Sequence, residues 1–230
     1  ALTDHYDDNG TSADGWINLN GALDSAHQTA VTNYITSLNN FQSNGGIIVQ
    51  SNSNLTYEVD ADIFAALPTF YSQLEEAWIA VININVTGST GNSYTLRSAP
   101  CGQTKTYCLG ADGDNIASSA IGSSGYYSIG SGTSYAAPQV AGAVALLKEA
   151  FPNHTAEMIV DRLLATGQNS TSLIGSHTGA VTFGNGVQHG YNANFGHGLM
   201  DVYAALNPIT SSSYVQGNGG QLCQPIGSGG

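Results

Sequence analysis

The chain has 230 residues, 41% of them hydrophobic, enough to bury one sizeable core, and without an evident internal repeat a single domain is the default. Charged residues make up only 9% and the net charge is -12, so a nucleic-acid partner is disfavoured, because the electrostatic term that drives phosphate binding would be repulsive. No apolar run approaches the roughly 18–20 residues a bilayer-spanning helix needs, and ALTDHYDDNG at the N-terminus has neither a basic nor an apolar signal region. The expectation is a soluble chain that does not span a membrane, its surface solvated by Asn, Ser, Thr and Gly, as suits a secreted protein.

In chain order, DDNG at 7–10 reads as a surface turn and WINL at 16–19 as a short strand. Residues 23–41 place Ala26, Ala30, Val31, Tyr34, Ile35 and Leu38 at helical spacing, and SNGG at 43–46 supplies a stop. The run at 47–49 is a buried strand feeding the polar loop QSNSN. A short helical stretch at 70–76 then leads into WIAVINI at 78–84, a second continuous β-rich run. Strand, helix and strand in alternation predict an α/β domain with a largely parallel sheet.

Cys101 and Cys108 have six residues between them, which is wrong for a CxxC redox or zinc site and fits a short disulfide-closed loop in an oxidising compartment. Cys223 is left over. A long helix starts at Thr133 and stops at Pro152, a second is capped by Thr155, and DVYAALNP forms a third. Residues 1–208 thus make one domain portion, and 209–230 a low-complexity tail or linker.

The stretch SGTSYAAPQVAG at 131–142 carries the chemistry. A serine before a helix is usually a cap that satisfies an orphan N–H. Here a Gly-Thr-Ser turn would set the Ser134 hydroxyl at the helix mouth, where backbone dipoles favour developing negative charge. Ala136 and Ala137 allow close packing, and Pro138 is expected in the first helical turn, where no N–H is missed.

This stretch closely resembles the catalytic-serine signature of the subtilisin-like serine proteases, G-T-S-x-A-x-P followed by a V-A-G helix. GGIIVQSNSN resembles that family's V-x-A-A-G-N strand end, whose last Asn donates its side-chain amide to the oxyanion, and the register selects Asn54, with Asn52 as the alternative. The segments at 67–84 and 97–119 resemble subtilisin-like passenger domains of bacterial autotransporters, with their paired-cysteine loop, and FGHGLMDVYAALNP resembles the family's closing helix. The resemblance runs from Trp16 to Pro208.

It implies a three-layer α/β fold without its N-terminal strands, and a serine endopeptidase with Ser134 as nucleophile and Asn54 in the oxyanion hole. An extended peptide substrate would pair with Leu19, Asn20 and Gly21. Calcium is common in the family, but no complete ligand set can be assembled here, and no other cofactor or metal is implied.

The family's Asp and H-G-T-H blocks do not occur, and none of the six histidines, His5, His27, His154, His177, His189 and His197, has the expected flanks. The Asp and His are therefore expected from an N-terminal fragment of the same precursor, which would also cover the open sheet edge. The alternative is an inactive, protease-derived structural or interaction protein, its edge covered by further copies.

Overall fold

The computed structural model describes residues 25–87, 93–120, 125–184 and 186–209, with the side chains of 25–28 left aside. The predicted turn at 7–10, the strand at 16–19, the substrate segment Leu19, Asn20 and Gly21, His5 and Cys223 lie outside them.

Helix α1, Ser25–Ser43, buries a narrow stripe in which Ile35 is fully inside and Val31 and Leu38 are half-buried, while Ala30 and Tyr34 are exposed. SNGG ends it as predicted. Gly45 adopts φ 84° and donates to Gln42 O at 2.8 Å, and Gly46 donates to Phe41 O at 3.0 Å, the paired bonds of a Schellman cap.

Strand β1, Ile48–Ser51, leads through the loop to a short helix α2, Leu67–Phe70, and a 3-10 turn, Ser72–Ala77. The helical stretch expected at 70–76 is thus split, with Tyr71 between its two parts. Strand β2, Trp78–Thr87, is the spine of the fold, and its first seven residues are buried.

β2 pairs in parallel with β1 and with β4, Cys108–Ala111, while its last four residues pair antiparallel with β3, Ser93–Leu96. Burial on both faces is why the run reads as continuously apolar rather than alternating. Trp78, Ile79, Val81, Ile82 and Ile84 pack with Leu109, Val140, Leu147, Ile159 and Leu163 in one core. The expected α/β fold with a mostly parallel sheet flanked by helices is what the chain adopts.

A hairpin, β5 (Ile116–Ser119) with β6 (Tyr127–Gly130), feeds α3, Thr133–Ala150, which packs across β1, β2 and β4. Pro138 corrects the sequence reading. It is the sixth helical residue, past the first turn, and has no N–H to give Ser134 O.

Helix α4, Ala156–Ala165, is capped as expected, with Thr155 Oγ1 accepting from Met158 N at 3.2 Å. Thr155→Ala should cost about 1 kcal/mol, read as a lower urea midpoint with an unchanged slope. A short helix α5, Thr171–Ile174, the hairpin β7 (Gly179–Thr182) with β8 (Gln188–Tyr191), and α6, Val202–Leu206, complete the described chain.

Cys101 and Cys108 form the expected disulfide. Its loop is clasped from two sides. Asp60 Oδ1 accepts from Gln103 N at 2.8 Å, while Cys101 N donates to Asn194 O at 3.0 Å and Gly102 N to Ala193 O at 2.8 Å. The loop therefore fastens the turn at 192–198 onto the end of the sheet.

Candidate active site

The turn before α3 is built on Gly132, whose φ of 143° and ψ of 171° suit a residue without a Cβ. Its N–H donates to Gly113 O at 2.9 Å, and its own carbonyl accepts the first helical bonds, from Tyr135 N at 3.0 Å and Ala136 N at 3.2 Å. Gly132 is the N-cap residue and, lacking a side chain, supplies no cap of its own.

Ser134 is consequently the second helical residue and exposed, not a cap. Among the described residues its hydroxyl has no hydrogen-bond partner, and its backbone N–H is one of the donors that a helix start leaves unpaired. Both groups lie where the helix dipole is positive.

The two asparagines proposed for the oxyanion separate cleanly. Asn52 is buried with its amide fully engaged: Nδ2 donates to Ala99 O at 3.2 Å and Pro100 O at 2.9 Å, and Oδ1 accepts from Ser53 N at 3.0 Å and Asp62 N at 2.7 Å. It staples the loop and has nothing left for a ligand.

Asn54 is exposed, and its Oδ1 accepts from Thr133 N at 2.8 Å and lies 3.1 Å from Thr133 Oγ1. That anchoring leaves the Nδ2 end without a partner among the described residues, one residue from Ser134 across the helix mouth. Thr133 Oγ1 also donates to Asn52 O at 2.7 Å, so one threonine ties the loop, the helix start and Asn54 together.

The described histidine side chains are all engaged elsewhere. His154 stacks on Phe151 at 4.9 Å between ring centroids, and desolvation together with Arg162 and Lys148 lowers its pKa. His177 Nε2 lies 2.8 Å from Asn169 O. His189 and His197 are fully buried with their Nδ1 atoms 2.8 Å apart, His189 Nε2 3.1 Å from Gly167 O and His197 Nε2 3.1 Å from Thr106 O.

Both are packing residues, and nothing in QHGY or FGHG signals that they meet. No group of three or more His, Cys, Asp or Glu among the described residues could hold a metal ion.

A mostly parallel sheet flanked by helices, with an exposed serine in the first turn of a helix and an asparagine amide anchored beside it, defines a subtilisin-like α/β protein. The model of the subtilase family matches residues 5–198, and the chain belongs to that family.

It is 30% identical over 135 residues to an extracellular serine protease of Serratia marcescens, a match covering 50% of this chain and 12% of that protein. Fervidolysin from Fervidobacterium pennivorans, a keratinolytic enzyme related to subtilisin, matches with a TM-score of 0.51 and 25% identity over 74% of this chain and 24% of that one. A chain of the subtilase cytotoxin SubAB shares the fold, with a TM-score of 0.55 and 18% identity over 81% of this chain and 54% of that one. The chain thus spans about half or less of the length of each.

Proposed function

We propose that the protein is an extracellular serine endopeptidase that hydrolyses peptide bonds through an acyl-enzyme on Ser134. The observation that carries this reading is the bond from Thr133 N to Asn54 Oδ1 at 2.8 Å, which anchors the Asn54 amide next to Ser134, while Asn54 Nδ2, Ser134 N–H and the Ser134 hydroxyl have no partner among the described residues.

Ser134 Oγ attacks the peptide carbonyl as its proton passes to a histidine, and the two donors stabilise the oxyanion. The histidine then protonates the leaving amine, and a water molecule, deprotonated in the same way, releases the acid and restores Ser134. That histidine and its aspartate are assigned to an N-terminal segment of the same precursor, docked against the sheet edge. An extended substrate is assigned to Leu19, Asn20 and Gly21. The Serratia relative's description, the Cys101–Cys108 disulfide and the scarcity of charge support an extracellular setting.

A serine-directed fluorophosphonate applied to the natural, unfragmented protein should label Ser134 and fail to label Ser134→Ala. Asn54→Leu should slow labelling about 100-fold or more. No labelling of the natural protein would leave the inactive, protease-derived interaction protein as the better reading.

A further inference from the structure

Asn83 interrupts the apolar core of β2 and is 1% exposed. A polar side chain there costs free energy unless its groups are paired. The backbone of Asn83 is satisfied without the side chain, since its N–H donates to Ser98 Oγ at 3.1 Å and its carbonyl accepts from Arg97 N at 2.9 Å. Its Oδ1 instead accepts from Gly113 N at 2.9 Å, and Gly113 O accepts from Gly132 N at 2.9 Å.

Gly113 is held without slack. A Cβ there would stand 2.5 Å from Gly132 O and 3.0 Å from both Ala136 N and Asn83 Oδ1. On the far side, a Cβ at Gly132 would stand 2.9 Å from Asn54 Oδ1. Three successive contacts thus run from the centre of the sheet to the two groups the chemistry needs.

We propose that Asn83 is a positioning residue: by holding Gly113 it fixes Gly132, and through Gly132 the placement of Ser134 relative to Asn54. The catalytic part of this inference rests on the reading of Ser134 as the nucleophile. The mechanical part does not. A nearby tie provides the control, because Asn85 Nδ2 donates to Asp114 Oδ2 at 2.6 Å and secures the same loop without touching the Gly113–Gly132 link.

The test compares Asn83→Leu, Asn83→Asp and Asn85→Ala by residue-resolved amide exchange and by fluorophosphonate kinetics in the natural protein. In Asn83→Leu the amides of Gly113 and Gly132 should exchange roughly 10- to 100-fold faster, while those of α4 keep their protection. The limiting labelling rate should fall about 10-fold or more with inhibitor affinity within about twofold, the signature of a misplaced nucleophile. Asn83→Asp, which keeps an acceptor oxygen in either protonation state, should restore both readouts, and Asn85→Ala should change neither.

Unchanged protection at Gly132 in Asn83→Leu overturns the proposal. So does loss of protection that extends equally into α4, or an equal effect of Asn85→Ala, or an Asn83→Asp that behaves as Asn83→Leu. If the wild-type protein does not label, the peptidase reading falls, and the exchange data still decide whether Asn83 positions the turn.

Discussion

Gly132→Ala should slow fluorophosphonate labelling of Ser134 by at least about 100-fold, the size expected when a reacting group is misplaced by about an ångström or an oxyanion donor is lost. At φ 143° an alanine is strained wherever its methyl points, and here the methyl also meets the Asn54 side chain, 2.9 Å from Oδ1 and 3.3 Å from both Cγ and Nδ2. Either Asn54 swings away and abandons Thr133, or the turn shifts and carries Ser134 with it. Each outcome separates the hydroxyl from the amide beside it.

The stability cost should be about 1–3 kcal/mol, so the variant should remain folded and its urea midpoint should fall only in part. Gly142→Ala is the matched control. It lies in α3 with nothing within 4 Å of its added methyl and should be neutral or stabilising by about 0.5–1 kcal/mol. A Gly132→Ala variant that labels at the wild-type rate would show that the turn does not set the site.

The parts of this fold that could be read from sequence are those whose signals are local. SNGG carries its own stop chemistry, Thr155 its own cap, and a run such as WIAVINI buries both faces of a strand wherever it occurs. The hairpins β5–β6 and β7–β8 carry no comparable signal, since their four-residue strands are rich in Gly, Ser and Thr and are defined by pairing with each other.

The site divides in the same way. Ser134 is marked by its flanking residues, whereas the choice between Asn52 and Asn54 depends on carbonyls and amides 47 to 81 positions away in the chain. Two asparagines two residues apart look alike until those partners are placed. Asn83 was hidden more completely, because within an apolar run it reads as strand filler, and its partner is a glycine with no side chain to announce it. Pro138 shows the converse limit: its place just after the serine suggested the first turn, but from the expected start at Thr133 it is the sixth helical residue, and tertiary packing tolerates the missing bond.

Acid should destabilise the protein through His189 and His197 before it affects the nucleophile turn. Three ring-nitrogen contacts, to Gly167 O, to Thr106 O and between the two Nδ1 atoms, would use three protons, and two neutral rings carry only two. Burial nevertheless opposes a third, lowering His197 to about 4 and His189 well below its ordinary value. The other groups around the pair do not relieve this. Asn169 donates towards His189 Nδ1, Phe183 and Tyr191 pack on His197, and His177 acts on both rings with the same sign of charge.

With the folded pKa below the unfolded value of 6.5, the unfolded chain binds more protons between those limits. Stability is therefore fully present above about pH 6.5 and is lost as the pH falls towards 4, by about 3 kcal/mol for His197, with His189 adding in the same direction. His197→Gln, which can keep a donor for Thr106 O but cannot titrate, should flatten that limb when urea midpoints are compared at pH 7, 5.5 and 4. Parallel curves for the two proteins would refute the assignment.

The location of the pair also sets the order of events. His197 N donates to Cys108 O at 2.9 Å, and the disulfide loop holds Asn194 and Ala193 beside it, so protonation strains the 192–198 turn and β8 directly. Gly113, Gly132 and Ser134 hang instead on β2 through Asn83. Amide protection should accordingly be lost in β7 and β8 at a higher pH than in α3.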